Sequence, residues 1–256
     1  MNGDGEEWGD APAVETYPDA GSGAATDPSV YSGMFTDQSD DAEWQSRSGA
    51  TVGAVHGDPT VLIERGVDHS ELQASGQDWQ RRHFEHCRFT DAMLAGLHTA
   101  SCSFVECDFS GADLTRSTHR LSAFVACQFR GAQLTSTTFD DCKLAGSAFY
   151  SAHLGGIVFR GGDLTSVSLT EADLSGVDLT DVRLYSADLS GADLNNATLA
   201  GADLREVTLD NTNFEDADLQ GAYIAGFDPR RANLSGARID PDQAIELARV
   251  FGVVIG

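Results

Sequence analysis

Five cysteines, Cys87, Cys102, Cys107, Cys127 and Cys142, lie at separations that are multiples of five, and regularly spaced thiols are where metal or redox chemistry would first show. The spacing argues against both. No Cys-x-x-Cys pair is present to hold zinc. Cys87, Cys107 and Cys127 are twenty residues apart, so a structure repeating every twenty residues stacks them in one column, close enough in Cα separation for a disulfide on geometry alone. The acidic N-terminus carries no apolar leader, so a cytoplasmic protein with reduced, core-filling thiols is expected. The other candidate for chemistry is His119, twenty residues from Thr99. Its expected role is a buried imidazole hydrogen-bonded to Thr99 or the backbone, not a catalytic base. The glycines near Gly21 and Gly23 have neither a phosphate-loop lysine nor Rossmann spacing. No enzyme activity, cofactor or metal is therefore expected, and no apolar run approaches a membrane span.

Carboxylates are the remaining chemistry. The chain has 40 acidic and 16 basic residues, a net charge of −24, which disfavours direct binding to nucleic acid. Residues 1–78 hold 16 acidic residues against Arg47 and Arg65; residues 79–160 hold 7 acidic and 8 basic; residues 161–228 hold 14 acidic against Arg183 and Arg205. The imbalance within the repeats thus sits in three to four consecutive coils, spread over all their sides. Asp173, Asp178, Asp188, Asp193, Asp203 and Asp218 are the outward carboxylates in that stretch expected to face a basic partner. A solvated face that keeps an edge-rich β structure soluble is the plainer alternative.

What positions these groups is a period of five. From Phe84 to Ile239 every fifth residue is Leu, Phe or Ile at 29 of 32 positions, the exceptions being Thr99, His119 and Pro229. Two residues before each, the side chain is small except at Arg82, Leu97, Ile157 and Phe227. That period fits neither a helix nor a plain strand, so the units must stack as a solenoid. Leu97 before Thr99 and Phe227 before Pro229 exchange large for small and keep the interior volume roughly constant. The expected organisation is a mostly disordered acidic extension over 1–78, about eight coils over 79–239, and a C-terminal cap over 240–256. The runs Val61-Leu62-Ile63 and Asp68 to Ala74 are placed to fold against the first coil.

The cap carries a helix signature: Asp240 as N-cap, Pro241 at the first helical position, Gln243 completing a capping box and Gly252 as the stop. Ala244, Leu247, Ala248 and Phe251 share one face, and Ile245 and Val250 lie off it. One narrow coil end cannot hide that much apolar surface, so homodimerisation through this end is expected.

The tandem units Gly191-Ala192-Asp193-Leu194 and Gly201-Ala202-Asp203-Leu204 resemble the pentapeptide repeat family. Irregular features resemble its MfpA-like and Qnr-like branch: Leu97-His98-Thr99, Glu106-Cys107-Asp108-Phe109-Ser110-Gly111, His119-Arg120, Ser122-Ala123-Phe124, Ala237-Arg238-Ile239-Asp240 and Asp242-Gln243-Ala244. The resemblance implies an all-β, right-handed quadrilateral β-helix with one pentapeptide per side and four per coil. It further implies a dimeric mimic of duplex DNA that binds DNA gyrase and relieves fluoroquinolone action. Gly155-Gly156 stand where MfpA-like chains carry a proline in the middle of the rod, which leaves any kink there open.

Overall fold

Residue pairs twenty apart become neighbours: Phe84 faces Phe104, Phe104 faces Phe124, and Thr99 faces His119, all in parallel register. Four pentapeptides therefore close one coil, and the computed structural model, which describes residues 62–254, is a parallel β-solenoid of about nine turns ending in one short helix. Leu62–Arg65, Arg82–Glu85, Ser103–Val105 and Ala123–Val125 form one side of the first coils. Asp78–Gln80, His98–Ala100, Thr118–Arg120, Thr138–Asp140 and Val158–Arg160 form another. Beyond them most rungs are isolated bridges, with a short two-stranded ladder of Thr212–Asn213 on Ala232–Asn233. The register runs unbroken past Gly155-Gly156, where Ser136 N–H donates to Gly155 O at 2.9 Å.

The alternation of large and small residues sets the core. The central Leu and Phe side chains are almost wholly buried, and phenylalanines one coil apart stack at 4.7–5.1 Å along two columns, Phe84-Phe104-Phe124 and Phe89-Phe109-Phe129-Phe149. Leu97 and Thr99 both point inward, as the volume exchange requires. Phe227 is buried too, but Pro229 leaves the register and opens a 3-10 turn, Pro229–Arg231, capped by Asp228. Gly162 is obligatory: its φ is +96°, and an added Cβ would lie 2.4 Å from Cys142 O.

The cysteines have a role beyond filling space. At most corners the N–H three residues after the central residue donates back to that residue's carbonyl, as Ala92 does to Phe89 at 3.1 Å. The corners that end in the five cysteines lack this bond. Instead Cys102, Cys107, Cys127 and Cys142 direct Sγ at Trp79 O, Phe84 O, Phe104 O and His119 O of the coil before, at 3.2–3.5 Å. Ser147 does the same for Phe124 O at 2.7 Å. All five thiols are buried and free, and burial pushes Cys102 up to about 11 and Cys142 up to about 12. A thiol reagent at pH 8 is therefore expected to label none of them in the native protein and all five after denaturation. Intact-mass analysis reads the result, and one native equivalent would contradict the assignment.

The boundary expected at Trp79 moves upstream, because coils already begin at Leu62, which pairs with Arg82. The reason lies in the central positions of the first coil, which hold Glu64 and His69 where the register would demand Leu or Phe. Both are buried, with His69 Nε2 2.7 Å from Glu64 Oε2 and the imidazole stacked on Phe89 at 5.0 Å. The packing of Val61-Leu62-Ile63 and Asp68 to Ala74 against the next coil is seen for Leu62, Ile63 and residues 68–74. Val61 and residues 1–60 of the acidic extension lie outside the described residues.

Candidate functional site

His119 is wholly buried. Its Nδ1 lies 2.9 Å from Thr99 Oγ1 and its Nε2 2.9 Å from Ser117 Oγ. Thr99 donates onward to Ser122 Oγ at 3.0 Å, and Ser122 to Arg120 O at 3.0 Å. A consistent tautomer carries its proton on Nδ1, donating to Thr99, and accepts from Ser117 at Nε2. Both nitrogens are thus hydrogen-bonded, Nδ1 to Thr99 of the preceding coil, as the sequence led one to expect, and Nε2 to Ser117 within its own coil. Burial drives this imidazole down to about 3, with His98 adding to the effect.

That depression has a signed consequence for stability. The folded chain keeps His119 neutral, while the unfolded chain protonates it near 6.5, so its contribution is intact above about pH 6.5 and is lost as pH falls towards 3. Between pH 7 and pH 5 the wild type should lose about 2 kcal/mol more stability than His119→Phe. Urea unfolding at the two pH values checks this, and equal losses would contradict it. Among the described residues no group of three or more His, Cys, Asp or Glu is placed to hold a metal ion, and no helix is long and apolar enough to cross a membrane.

The six carboxylates singled out in the sequence all occupy the position just before a central leucine, and all point away from the core. They do not share one surface. Asp173 and Asp193 pair as successive rungs on one side, Asp178 and Asp218 flank Thr198 on the next, and Asp188 and Asp203 lie on the remaining two. Each also has local work: Oδ1 accepts the N–H two residues on, from Ser175, Thr180, Ser190, Asn195, Arg205 and Gln220 at 3.0–3.2 Å. Asp203 is further neutralised by the Arg205 fork at 2.8 and 2.7 Å, which holds its carboxyl below the usual range. Asp218 is paired with Arg238. Bonds from Thr180 likewise hold Asp178 low.

The register also locates carboxylates that the repeat position did not single out. Glu171, Asp181, Glu215 and Asp216 sit at corners, exposed, and enter no ion pair among the described residues. Glu171, Asp181 and Asp216 adopt φ near +57°, which carries the side chain out along the edge. These corners border the same two adjacent sides that carry Asp173, Asp193, Asp178 and Asp218. The opposite sides are mixed, with Asp163 and Asp203 beside Arg183, and Arg205 stacked near Tyr185 and Tyr223 at 5.7 and 5.9 Å. The sequence total of −12 over residues 161–228 is therefore unevenly distributed around the coil. A corner residue could have been found from the sequence by adding two to each central position, a signal hidden by the abundance of polar residues there.

The C-terminal helix α1, Pro241–Val250, has the expected capping box: Gln243 N–H donates to Asp240 Oδ1 at 3.0 Å and Asp240 N–H to Gln243 Oε1 at 2.9 Å. The contact face differs from the apolar one expected. Ala244 and Phe251 are exposed, Ile245 and Ala248 half-buried, Val250 exposed, and only Leu247 of that set packs against the core. The buried residue is Gln243, whose Nε2 donates to Leu219 O at 2.6 Å and Ala222 O at 2.8 Å. A parallel ladder ends in free carbonyls, so the last coil needs a donor before it needs an apolar lid.

Residues 132–209 match the family model for a pentapeptide repeat region, and residues 83–118 and 212–240 match that for pentapeptide repeats. No curated protein matches the chain at a significant level. Among solved structures, a trypsin-treated variant of QnrB1, a plasmid-mediated fluoroquinolone resistance protein, superposes with a TM-score of 0.68 at 22% identity, over 77% of this chain and 98% of its own. Full-length QnrB1 gives 0.67 at 21%, over 75% and 98%. HetL, a pentapeptide repeat protein involved in heterocyst differentiation regulation from the cyanobacterium Nostoc, gives 0.39 at 25%, over 70% and 84%. At such identities the likeness to QnrB1 is one of fold. Two family models between them cover most of the solenoid, its coils keep the twenty-residue register that four pentapeptides impose, and the chain belongs to the pentapeptide repeat family.

Proposed function

We propose that this chain binds DNA gyrase in place of duplex DNA, as a dimer joined at its C-terminal end, and so inhibits the enzyme or shields it from fluoroquinolone-type poisons. The observation that carries the reading is the excess of carboxylates without an ion pair on and beside two adjacent sides of the last coils, seven against Asp163, Asp188 and Glu206 on the other two. Residues 161–228 span roughly 16 Å of solenoid, over which B-DNA carries roughly ten charges. Glu171, Asp173, Asp178, Asp181, Asp193, Glu215 and Asp216 lie on or beside the two acidic sides without an ion pair among the described residues. That is a comparable density on one surface. The fold likeness to QnrB1 and the MfpA-like sequence features supply the partner. A dimer joined at α1 brings both acidic segments to its middle, where a two-fold enzyme saddle meets them symmetrically.

The test is plasmid supercoiling by purified gyrase, with and without a fluoroquinolone. The added protein should inhibit supercoiling or restore it in the presence of drug, without retarding duplex DNA in a gel by itself. No effect in either arm would replace gyrase by some other basic partner for the same surface.

A further inference from the structure

One side of the N-terminal coils carries an apolar patch on its outer face. Along the solenoid the residue just after the central one is valine only at Val105 and Val125, which are partners one coil apart. Beside them Ala123 is buried, and Leu121, at the corner leading into this side, is 43% exposed. Ser103, the parallel partner of Ala123, points to the same outer face, because Cys102 and Phe104 on either side of it fill the core. It is only 7% exposed, yet its hydroxyl has no hydrogen-bond partner among the described residues, which leaves a buried polar group to be satisfied. Charge at the rim is positive by a small margin. Glu85 and Glu106 lie 2.6 and 3.1 Å from Arg65 and His86. On the following coils and the adjacent side, Arg120, Lys143 and Arg160 stand against Asp140 and Asp141, and among the described residues only Arg120 and Asp140 of these are paired, at 3.5 Å.

We propose that the occupant of this patch is the chain's own segment from Phe35 to Trp44, which lies outside the described residues. The segment has an aromatic residue at each end and Asp37, Asp40, Asp41 and Glu43 between them. Its aromatic side chains cover the valines and Leu121, its carboxylates meet Lys143 and Arg120, and one of its acceptors takes the Ser103 hydroxyl. The chain can reach. Leu62–Arg65 opens the same sheet two coils before Ser103, about 10 Å along the axis, and the 17 residues between Trp44 and Leu62 span up to roughly 55 Å. Size also favours a tethered occupant. So few outer side chains fall well short of the about 800 Å² per partner of a stable two-protein interface, whereas a segment on so short a linker sits at an effective concentration on the order of millimolar. The patch lies two pentapeptides round the coil from Asp173 and Asp193, on the opposite side. Docking there keeps the segment's carboxylates from competing with that acidic surface for a basic partner.

Trp44 reports its own position. In the full chain, the difference between the wild type and Trp44→Phe isolates its emission from that of Trp8 and Trp79, and acrylamide quenching reads its access to water. Val125→Asp should raise its quenching constant about threefold, because an unpaired carboxylate under an indole disfavours the contact. Circular dichroism should not change, since position 125 faces outward. Lys143→Glu should also raise the quenching, and adding Asp41→Lys to it should bring the value back towards wild type. Benzoylphenylalanine in place of Ala145, one coil beyond Val125, should on irradiation cross-link to residues 35–44 of the same chain. Equal quenching of Trp44 in the wild type and Val125→Asp would overturn the assignment. Cross-links confined to a second copy of the chain, or to residues outside 35–44, would overturn it as well.

Discussion

Reversing three corner charges, Glu171→Lys, Asp181→Lys and Asp216→Lys, should abolish the effect of this protein on gyrase, raising the concentration needed at least a hundredfold. These side chains are exposed and unpaired, and basic residues already occupy left-handed corners of this solenoid, as Arg81 and Arg116 do at φ +51° and +57°, so the coils should remain folded. The control is equal in net charge: Asp163→Lys, Asp188→Lys and Glu206→Lys on the other two sides. Charges more than about 8 Å from a contact are largely screened at physiological ionic strength. The control should therefore cost less than tenfold. Equal losses from both triple variants would mean that only total charge matters, and the two-sided surface would have no special role.

Leu194→Asp should cost more stability than any surface change. The side chain is wholly buried in a column bounded by Leu174 and Phe214, one coil away on either side. Removing it forfeits about 1.5–3 kcal/mol of apolar burial, and an unpaired carboxylate in that interior costs several more. The sum approaches the whole stability of a typical domain. Because each coil contacts only its neighbours, the loss should open the coils around Leu194 first, and hydrogen exchange should show residues 174–219 unprotected while Phe84 to Phe149 stay protected. Asp193→Ala next door removes only the bonds from Asn195 N–H at 3.0 Å and Asn213 Nδ2 at 2.9 Å. It should cost about 1–2 kcal/mol. Matching thermal midpoints for the two variants would contradict the inward and outward assignment.

The register of Leu, Phe and Ile was enough to place every coil from Phe84 to Ile224, because an interior this narrow leaves almost no choice of side chain. It failed at the first coil, where Glu64 and His69 take central positions as a buried pair and so break the pattern by which a coil is read. The helix was legible to the residue from Asp240, Pro241 and Gln243, since capping is local chemistry. Its contact face was not, because Gln243 is drawn inward by two carbonyls, Leu219 O and Ala222 O, that only the folded coil presents. The acidic surface was half legible. Sequence position separates inward from outward, but Asp188 and Asp203 look identical to Asp173 until the twenty-residue coil assigns each to a side. Arg205 and Arg238 neutralise Asp203 and Asp218 from two and twenty residues away, and only the first of those pairings is local.

The central claim is that this surface takes the place of DNA on gyrase, and competition measures it directly. Fluorescently labelled duplex DNA bound to purified gyrase should be displaced by the wild-type protein with a competitive dependence on DNA concentration. The displacement should weaken steeply as salt rises, and the corner triple variant should lose it. Simultaneous binding of DNA and protein to the same gyrase, or no displacement at saturating protein, would contradict the account.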